Sequence, residues 1–266
     1  MLIDTHCHLT SAELAPQLDA VLQRAAEAGV ERVVTIAVTA ADARRAWDLM
    51  AARPAVYLAA GIHPHEAASC TGADREQLAA LHRGRWPGGE QAGRLVAVGE
   101  IGLDFHYDSA PPSTQEEVFR FQLELACEVG RPVIIHARKS AQRVCDILAD
   151  YPPLRERAVF HCFSGDAPTA RKILDLGFWL SFTGMVTFKG AEAVREAARL
   201  VPSDRILLET DAPYLSPEPV RKVRPCEPAL LVHTARRLAE VRAESFEAFA
   251  AATSANARRF FTLPEV

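Results

Sequence analysis

His6 and His8 stand two residues apart where a short apolar run ends, in the stretch Ile3-Asp4-Thr5-His6-Cys7-His8-Leu9. Side chains two apart on a strand project to one face, so imidazoles at this spacing can reach one ion. Alone, the pair is equally a pair of surface histidines in a loop. The rest of the chain adds His136, His161, Glu100 and Asp211, each at or just beyond the end of a similar apolar run. Four imidazoles and two carboxylates would be costly to bury unpaired, and a divalent metal centre is the simplest account of them. Such a set suits two ions about 3.5 to 4 Å apart, sharing a carboxylate and a water or hydroxide. We assign His6, His8, Glu100 and Asp211 to one ion, and Glu100, His136 and His161 to the other. Glu100 is the bridge because its strand lies between the two groups of ligands. Asp211 also has a catalytic role, holding the water and accepting its proton so that a hydroxide forms near neutral pH. This is hydrolase machinery.

A second tier surrounds these residues. His63 and His65 flank Pro64 in a turn after the third run, where they either contact a substrate phosphate or shape the turn. Arg138 follows His136 by two and faces the same rim, available to phosphate oxygens or to an ion pair with Asp104 or Glu209. Glu209, two before Asp211, either holds a third ion or orients a ligand. Phe105, Tyr107, Phe163 and Tyr214 follow strand ends, where aromatic rings stack on bases or pack loops. Arg221, Lys222 and Arg224 form a small basic cluster, and Cys7 and Cys162 read as core residues beside ligands.

The elements that must position these groups are regular. Eight β-rich apolar runs occur at 2–4, 32–38, 55–61, 94–100, 132–137, 158–163, 178–182 and 205–210. Between them, Leu14, Leu18, Val21, Leu22 and Ala25 recur at helical spacing before Gly29, as do Val118, Phe121, Leu125 and Val129 before Gly130. Further helical stretches fall at 40–52, 74–83, 140–150, 167–176 and 190–200, with two more at 228–240 and 244–261 after a proline-rich connector. Strands apolar on both faces that alternate with helices imply a parallel sheet. Eight of them in 266 residues predict an α/β protein, a (β/α)8 TIM barrel forming one domain over 1–266, with an open doubly wound sheet as the alternative. No glycine-rich phosphate fingerprint follows the first strand, which weighs against a dinucleotide-binding sheet.

The bulk composition fits a folded enzyme, with 49% hydrophobic and 24% charged residues. Six scattered cysteines without a CxxC pair suggest neither a disulfide framework nor a zinc knuckle. A net charge of −4 argues against broad electrostatic wrapping of nucleic acid, although an enzyme gripping one strand end remains open. The start has no basic region followed by a long apolar stretch, and no segment approaches a membrane span, so we expect a cytoplasmic monomer without membrane association.

Six short motifs in order resemble the TatD family of metal-dependent deoxyribonucleases within the amidohydrolase-like barrels. They are IDTHCHL at 3–9, GIHPHEA at 61–67, VGEIGLDF at 98–105, IIHAR at 134–138, FHCFSG at 160–165 and LLETDAPYLSP at 207–217. The resemblance implies a TIM barrel with a one- or two-metal site using Mg, Mn or Zn. It also implies phosphodiester hydrolysis, in several members as a 3′ to 5′ exonuclease on single-stranded DNA or RNA. It carries His6, His8, Glu100, His136, His161 and Asp211 over as metal ligands. No lysine stands at a strand end to supply the carboxylated bridge of related amidohydrolases. One departure is Arg221 to Pro228, RKVRPCEP, with Cys226 where relatives commonly carry asparagine; this touches substrate preference or loop geometry. The expected enzyme is a two-metal deoxyribonuclease digesting single strands from the 3′ end, with DNA repair as its setting. The alternatives are an esterase or amidase on the same metal site, such as a D-aminoacyl-tRNA deacylase, and a catalytically idle scaffold.

Overall fold

Each of the eight apolar runs forms a strand in the computed structural model, which describes residues 1–86 and 93–264. The strands are β1 (Leu2–Cys7), β2 (Val30–Ala37), β3 (Val56–Ala60), β4 (Leu95–Asp104), β5 (Val133–Arg138), β6 (Ala158–Phe160), β7 (Trp179–Phe182) and β8 (Ile206–Leu208). Their hydrogen-bonded order follows chain order. β1 meets β8 through a parallel bridge between Cys7 and Ala212. There the His8 N–H donates to the Ala212 carbonyl at 2.7 Å and the Asp211 N–H to the His6 carbonyl at 2.9 Å. A parallel sheet in chain order whose first strand meets its last is a (β/α)8 barrel.

The helices are α1 (Leu18–Glu27), α2 (Ala40–Ala51), α3 (Gly72–His82), α4 (Pro112–Val129), α5 (Ala141–Leu148), α6 (Ala167–Asp175), α7 (Glu192–Leu200), α8 (Leu231–Val241) and α9 (Phe246–Phe261). No helix among the described residues is long and apolar enough to cross a membrane.

The chain divides into two compact units. The first, Met1–Thr35 with His161–Asp175 and Trp179–Val266, holds β1, β7 and β8, with α9 packed on β1 and β8. β1 is buried along its whole length, polar residues included. Its Thr5 hydroxyl donates to the Leu208 carbonyl at 2.8 Å, so the polar group enters the core already paired.

The second unit, Ile36–Phe160 with Leu176–Phe178, holds β3, β4, β5 and β6. α4 starts at Pro112, earlier than its apolar periodicity from Val118 suggests, because a proline at the first turn needs no partner for the N–H it lacks. Two glutamines on α4, Gln115 and Gln122, are buried seven residues apart, hence on one face. Each clasps a backbone segment by both ends of its amide. Gln122 accepts from the Ile62 N–H at 2.6 Å and donates to the Ile62 carbonyl at 3.0 Å. Gln115 accepts from the Asp104 N–H at 2.8 Å and donates to the Asp104 carbonyl at 3.0 Å.

Strand ends differ from the sequence expectation in an instructive way. β4 was expected to stop at Glu100, yet it runs four residues further, all buried. The register with β5 slips between Val98 and Ile101, where β4 takes an extra residue. Beyond the slip, Gly102 pairs with His136 and Asp104 with Arg138. Gly102 has φ +141°, and a Cβ there would lie 2.0 Å from the His136 carbonyl oxygen. Only glycine permits this approach, and the glycines that look like strand breakers in the sequence are what let the strand continue.

Candidate metal centre

In the first unit the ligand candidates gather at the junction of β1 and β8. His6 lies inside β1 and His8 just past it, with ring centroids 5.2 Å apart. His161 follows β6 and stacks on His6, at 4.0 Å and 9° between ring planes. Asp211 Oδ1 is 3.7 Å from His6 Nε2 and 3.4 Å from His8 Nε2. Asp211 takes a left-handed backbone conformation, φ 57°, at the turn where the chain leaves β8. Burial alone would raise its carboxyl, but the hydrogen bond with His8 and the charges of His161, His6 and His8 hold it below the ordinary range. His6, His161 and Asp211 each offer a ligand atom, all within 4.8 Å of one another.

Two further carboxylates support this group. Glu209 is buried, and both of its oxygens are engaged. Oε1 accepts from the Cys162 N–H and sits 3.4 Å from His161 Nδ1, while Oε2 accepts from the Ser181 hydroxyl at 2.7 Å. Oε1 thus lies against the His161–Cys162 turn and Oε2 against Ser181. Sequence reasoning missed Asp4. Its Oδ2 accepts from the Thr210 hydroxyl at 2.6 Å, and its Oδ1 from the N–H groups of Thr210 at 3.0 Å and His6 at 3.3 Å. One buried side chain thereby clamps β1 to the end of β8. Burial pushes the Asp4 carboxyl up to about 7, against the pull of those donors. The visible signal was an aspartate in the middle of an apolar strand.

The second unit assembles a different cluster. His136 on β5 is held at both ring nitrogens, with Nδ1 2.7 Å from Glu100 Oε1 and Nε2 3.1 Å from Asp104 Oδ2. Glu100 and Asp104 reach it from either side of Gly102. His63 accepts at Nδ1 from the His65 N–H at 3.1 Å, so the neutral ring carries its proton on Nε2. That nitrogen lies 3.4 Å from Glu100 Oε1 and 3.3 Å from His136 Nδ1. Burial lowers His63 to about 4, with the Glu100 charge opposing. His65 Nε2 is 2.7 Å from Asp104 Oδ2. Burial would raise the Asp104 carboxyl; hydrogen bonds from His136, the Tyr107 N–H, His65 and the His106 N–H instead hold it far below the usual range.

The rim residues separate by burial. Arg138 is exposed with its guanidinium 4.8 Å over the Tyr107 ring, and Asp104, its suggested ion-pair partner, is occupied by histidines. Tyr107 and Tyr214 are 48% and 57% exposed, and Tyr214 stands 6.1 Å from His8 in an edge contact. Phe105 is also exposed. Phe163 is not: it is buried against Phe182, which removes it from the stacking candidates. Arg221 covers the ring of Phe188. Cys7 is buried near the Val34 carbonyl, whereas Cys162 is only half-buried, beside Thr183 and Met185. Cys226 is buried, which pushes its thiol up to about 12.

Donors of this kind suit a divalent ion, since imidazole favours zinc-like ions and carboxylate favours harder ones such as Mg and Mn. A model of the family described as TatD related DNase matches residues 3–262. The chain belongs to the TatD family. It is 37% identical over 263 residues to an uncharacterized metal-dependent hydrolase, YabD, of Bacillus subtilis, covering 99% of this chain and 100% of the relative. It is 36% identical over 267 residues to the 3′-5′ ssDNA/RNA exonuclease TatD of Erwinia tasmaniensis, covering 98% and 100%. The solved structure of the TatD homologue YJJV from Escherichia coli superposes with a TM-score of 0.91 at 31% identity, covering 99% of this chain and 98% of that one. This TatD-family chain is therefore a metal-dependent hydrolase. Its histidine and carboxylate clusters fit the metal the family requires.

Proposed function

We propose that the protein is a divalent-metal-dependent phosphodiesterase that shortens single-stranded DNA, and RNA less selectively, from the 3′ end. The observation that carries this reading is the pairing of each ligand candidate with a carboxylate: Asp211 against His6 and His8, Glu209 against His161, Glu100 against His136. His6, His8, Glu100 and Asp211 would hold one such ion and Glu100, His136 and His161 a second, as the family resemblance implies. Magnesium, manganese or zinc at such donors acidifies water and neutralises charge gathering on a phosphoryl group.

The chain's own residues supply the rest. Asp211, kept ionised, takes a proton from the attacking water. His63, which carries its proton on Nε2, donates to a substrate phosphate oxygen, while His65 gives its ring N–H to Asp104 and shapes the turn. Arg138, exposed and stacked on Tyr107, presents a planar cation to a neighbouring phosphate. Tyr107 and Tyr214 offer exposed ring faces to unstacked bases.

A 5′-labelled single-stranded oligonucleotide incubated with protein and Mg or Mn tests this directly. We expect a ladder receding from the 3′ end, lost by on the order of a thousandfold or more in Glu100→Ala and in Asp211→Asn. Intact oligonucleotides beside turnover of a D-aminoacyl-tRNA would replace the phosphodiesterase reading with the deacylase one.

A further inference from the structure

The loop that leaves β8 folds back on itself and is tied at several points. The Cys226 N–H donates to the Pro213 carbonyl at 3.0 Å, and the Ser216 hydroxyl donates to the Val223 carbonyl at 2.6 Å. The loop after β7 lies tight against it. A Cβ at Gly184 would sit 2.3 Å from the Leu215 carbonyl oxygen, so glycine is what lets the two backbones pack this closely. The Thr187 hydroxyl oxygen accepts from the Glu218 N–H at 2.8 Å, and the Arg221 guanidinium stacks 3.4 Å from the centroid of the Phe188 ring. These ties make the two loops one shelf within the first unit.

The shelf is basic in a chain whose net charge is −4. Arg221, Lys222 and Arg224 are exposed on it, as is Lys189 from the β7 loop, while Glu218 is the single carboxylate in the sequence from Pro213 to Cys226. On the helices, Arg83, Arg120 and Arg143 each sit on a carboxylate. On the shelf, Arg221 rests on a ring and Arg224 on the Val223 carbonyl, partners that leave the positive charge uncancelled. Apolar surface is interleaved with the cations, because Val223 between Lys222 and Arg224 is 46% exposed. Tyr214 joins the shelf to the metal centre, its N–H donating to the Asp211 carbonyl at 2.9 Å and its exposed ring standing beside His8. Exposed cations interleaved with apolar and aromatic side chains suit a single strand, whose phosphates meet the charges while its bases stack.

We propose that this shelf binds the backbone of a single-stranded nucleic acid on the retained side of the bond being cut, with Arg221, Lys222 and Arg224 as its phosphate contacts. The proposal rests on the reading of nucleic acid as the substrate and assigns the part of the strand that the metal centre does not touch. Contacts of this kind set affinity and its salt dependence, since each neutralised phosphate releases counterions.

The test uses the full chain as purified and 5′-fluorescent single strands whose 3′-terminal linkages are methylphosphonates, which resist cleavage. Binding is followed by anisotropy across a salt series. In Arg221→Gln/Lys222→Gln/Arg224→Gln we expect affinity to fall on the order of tenfold at about 50 mM salt, and the slope of log affinity against log salt to shrink by about 2, the value for three lost phosphate contacts on a single strand. Because Arg221 also covers Phe188, Lys222→Gln/Arg224→Gln is measured beside it and should lose about 1.4 of the slope. Arg83→Gln/Arg120→Gln/Arg143→Gln removes the same charge from helices and should keep the wild-type slope. An unchanged slope in the shelf variants, or an equal loss in the helix variant, overturns the proposal. Binding to phosphatidylserine vesicles that depends on the shelf, with the strand ignored, also overturns it and assigns the face to a lipid surface. Failure of the phosphodiesterase reading looks different: unmodified strands that bind through the shelf yet stay intact with Mg or Mn remove that reading and uphold the shelf.

Discussion

The two units hold their histidines by different means. In the first, backbone does most of the positioning: His6 and Asp211 are locked together by the main-chain bonds that join β1 to β8, with Asp4 as a clamp. In the second, side chains do it. Glu100 and Asp104 grip His136 from both ends, and two glutamines of α4 anchor the segments that carry His63 and Asp104. A backbone-held site tolerates exchange of neighbouring side chains as long as the strands pair. A side-chain-held site depends on each partner, and on the close strand approach at Gly102 that brings the partners within reach.

The sharpest way to break this contrast is Gly102→Ala. A methyl group 2.0 Å from the His136 carbonyl oxygen, at a φ of +141°, forces β4 away from β5. We expect a loss of roughly 3 kcal/mol or more by denaturant titration, together with the second cluster. A loss below about 1 kcal/mol would show that the close approach is not what holds the strands there.

A matched pair comes next. Asp4→Ala strips the buried Thr210 and His6 N–H groups of their acceptor, and Gln122→Ala does the same to the Ile62 N–H. Each should cost about 2 kcal/mol, the penalty of an unsatisfied buried donor. They should part in function, because the main-chain bonds of His6 with Asp211 and of His8 with Ala212 survive across the β1–β8 junction whereas the segment before His63 loses its clasp. Metal affinity near wild type in Asp4→Ala and weakened in Gln122→Ala is the expected result; the reverse order would invert the comparison.

At neutral pH the last effect vanishes, being an acid-limb dependence that His82 brings to the second unit. His82 is buried on α3 with Nε2 donating to the Ala60 carbonyl at 2.9 Å, and burial lowers it from 6.5 to about 3. The unfolded chain binds this proton more readily than the folded one. The contribution of His82 is therefore complete above pH 6.5 and is lost as the pH falls toward 3. By pH 5 the loss amounts to about 2 kcal/mol. His82→Gln, which keeps a donor near Nε2 and cannot titrate, should flatten the acid limb of stability against pH measured by urea unfolding; an unaltered slope would assign that limb to other groups.

How much of this was legible in the sequence varies by element. The eight strands were visible because residues buried on both faces must be apolar along their length, and the helices because one face repeats every three to four residues. His6, His8, Glu100, His136, His161 and Asp211 stood out because polar groups that close apolar runs are rare. Asp104 did not, because the apolar run read from the sequence ends at Glu100, and the residues beyond it join β4 through their pairing with β5. Gln115 and Gln122 resemble any glutamine on a surface helix.

The sequence by itself determined the alternation of elements, because periodicity constrains burial and burial constrains fold, and it pointed to the family through six short motifs standing in order. Tertiary structure alone decided which carboxylate serves which imidazole. Hydrogen bonds across strands depend on register, and a single extra residue in β4, opposite β5, sets where Glu100 and Asp104 fall around His136.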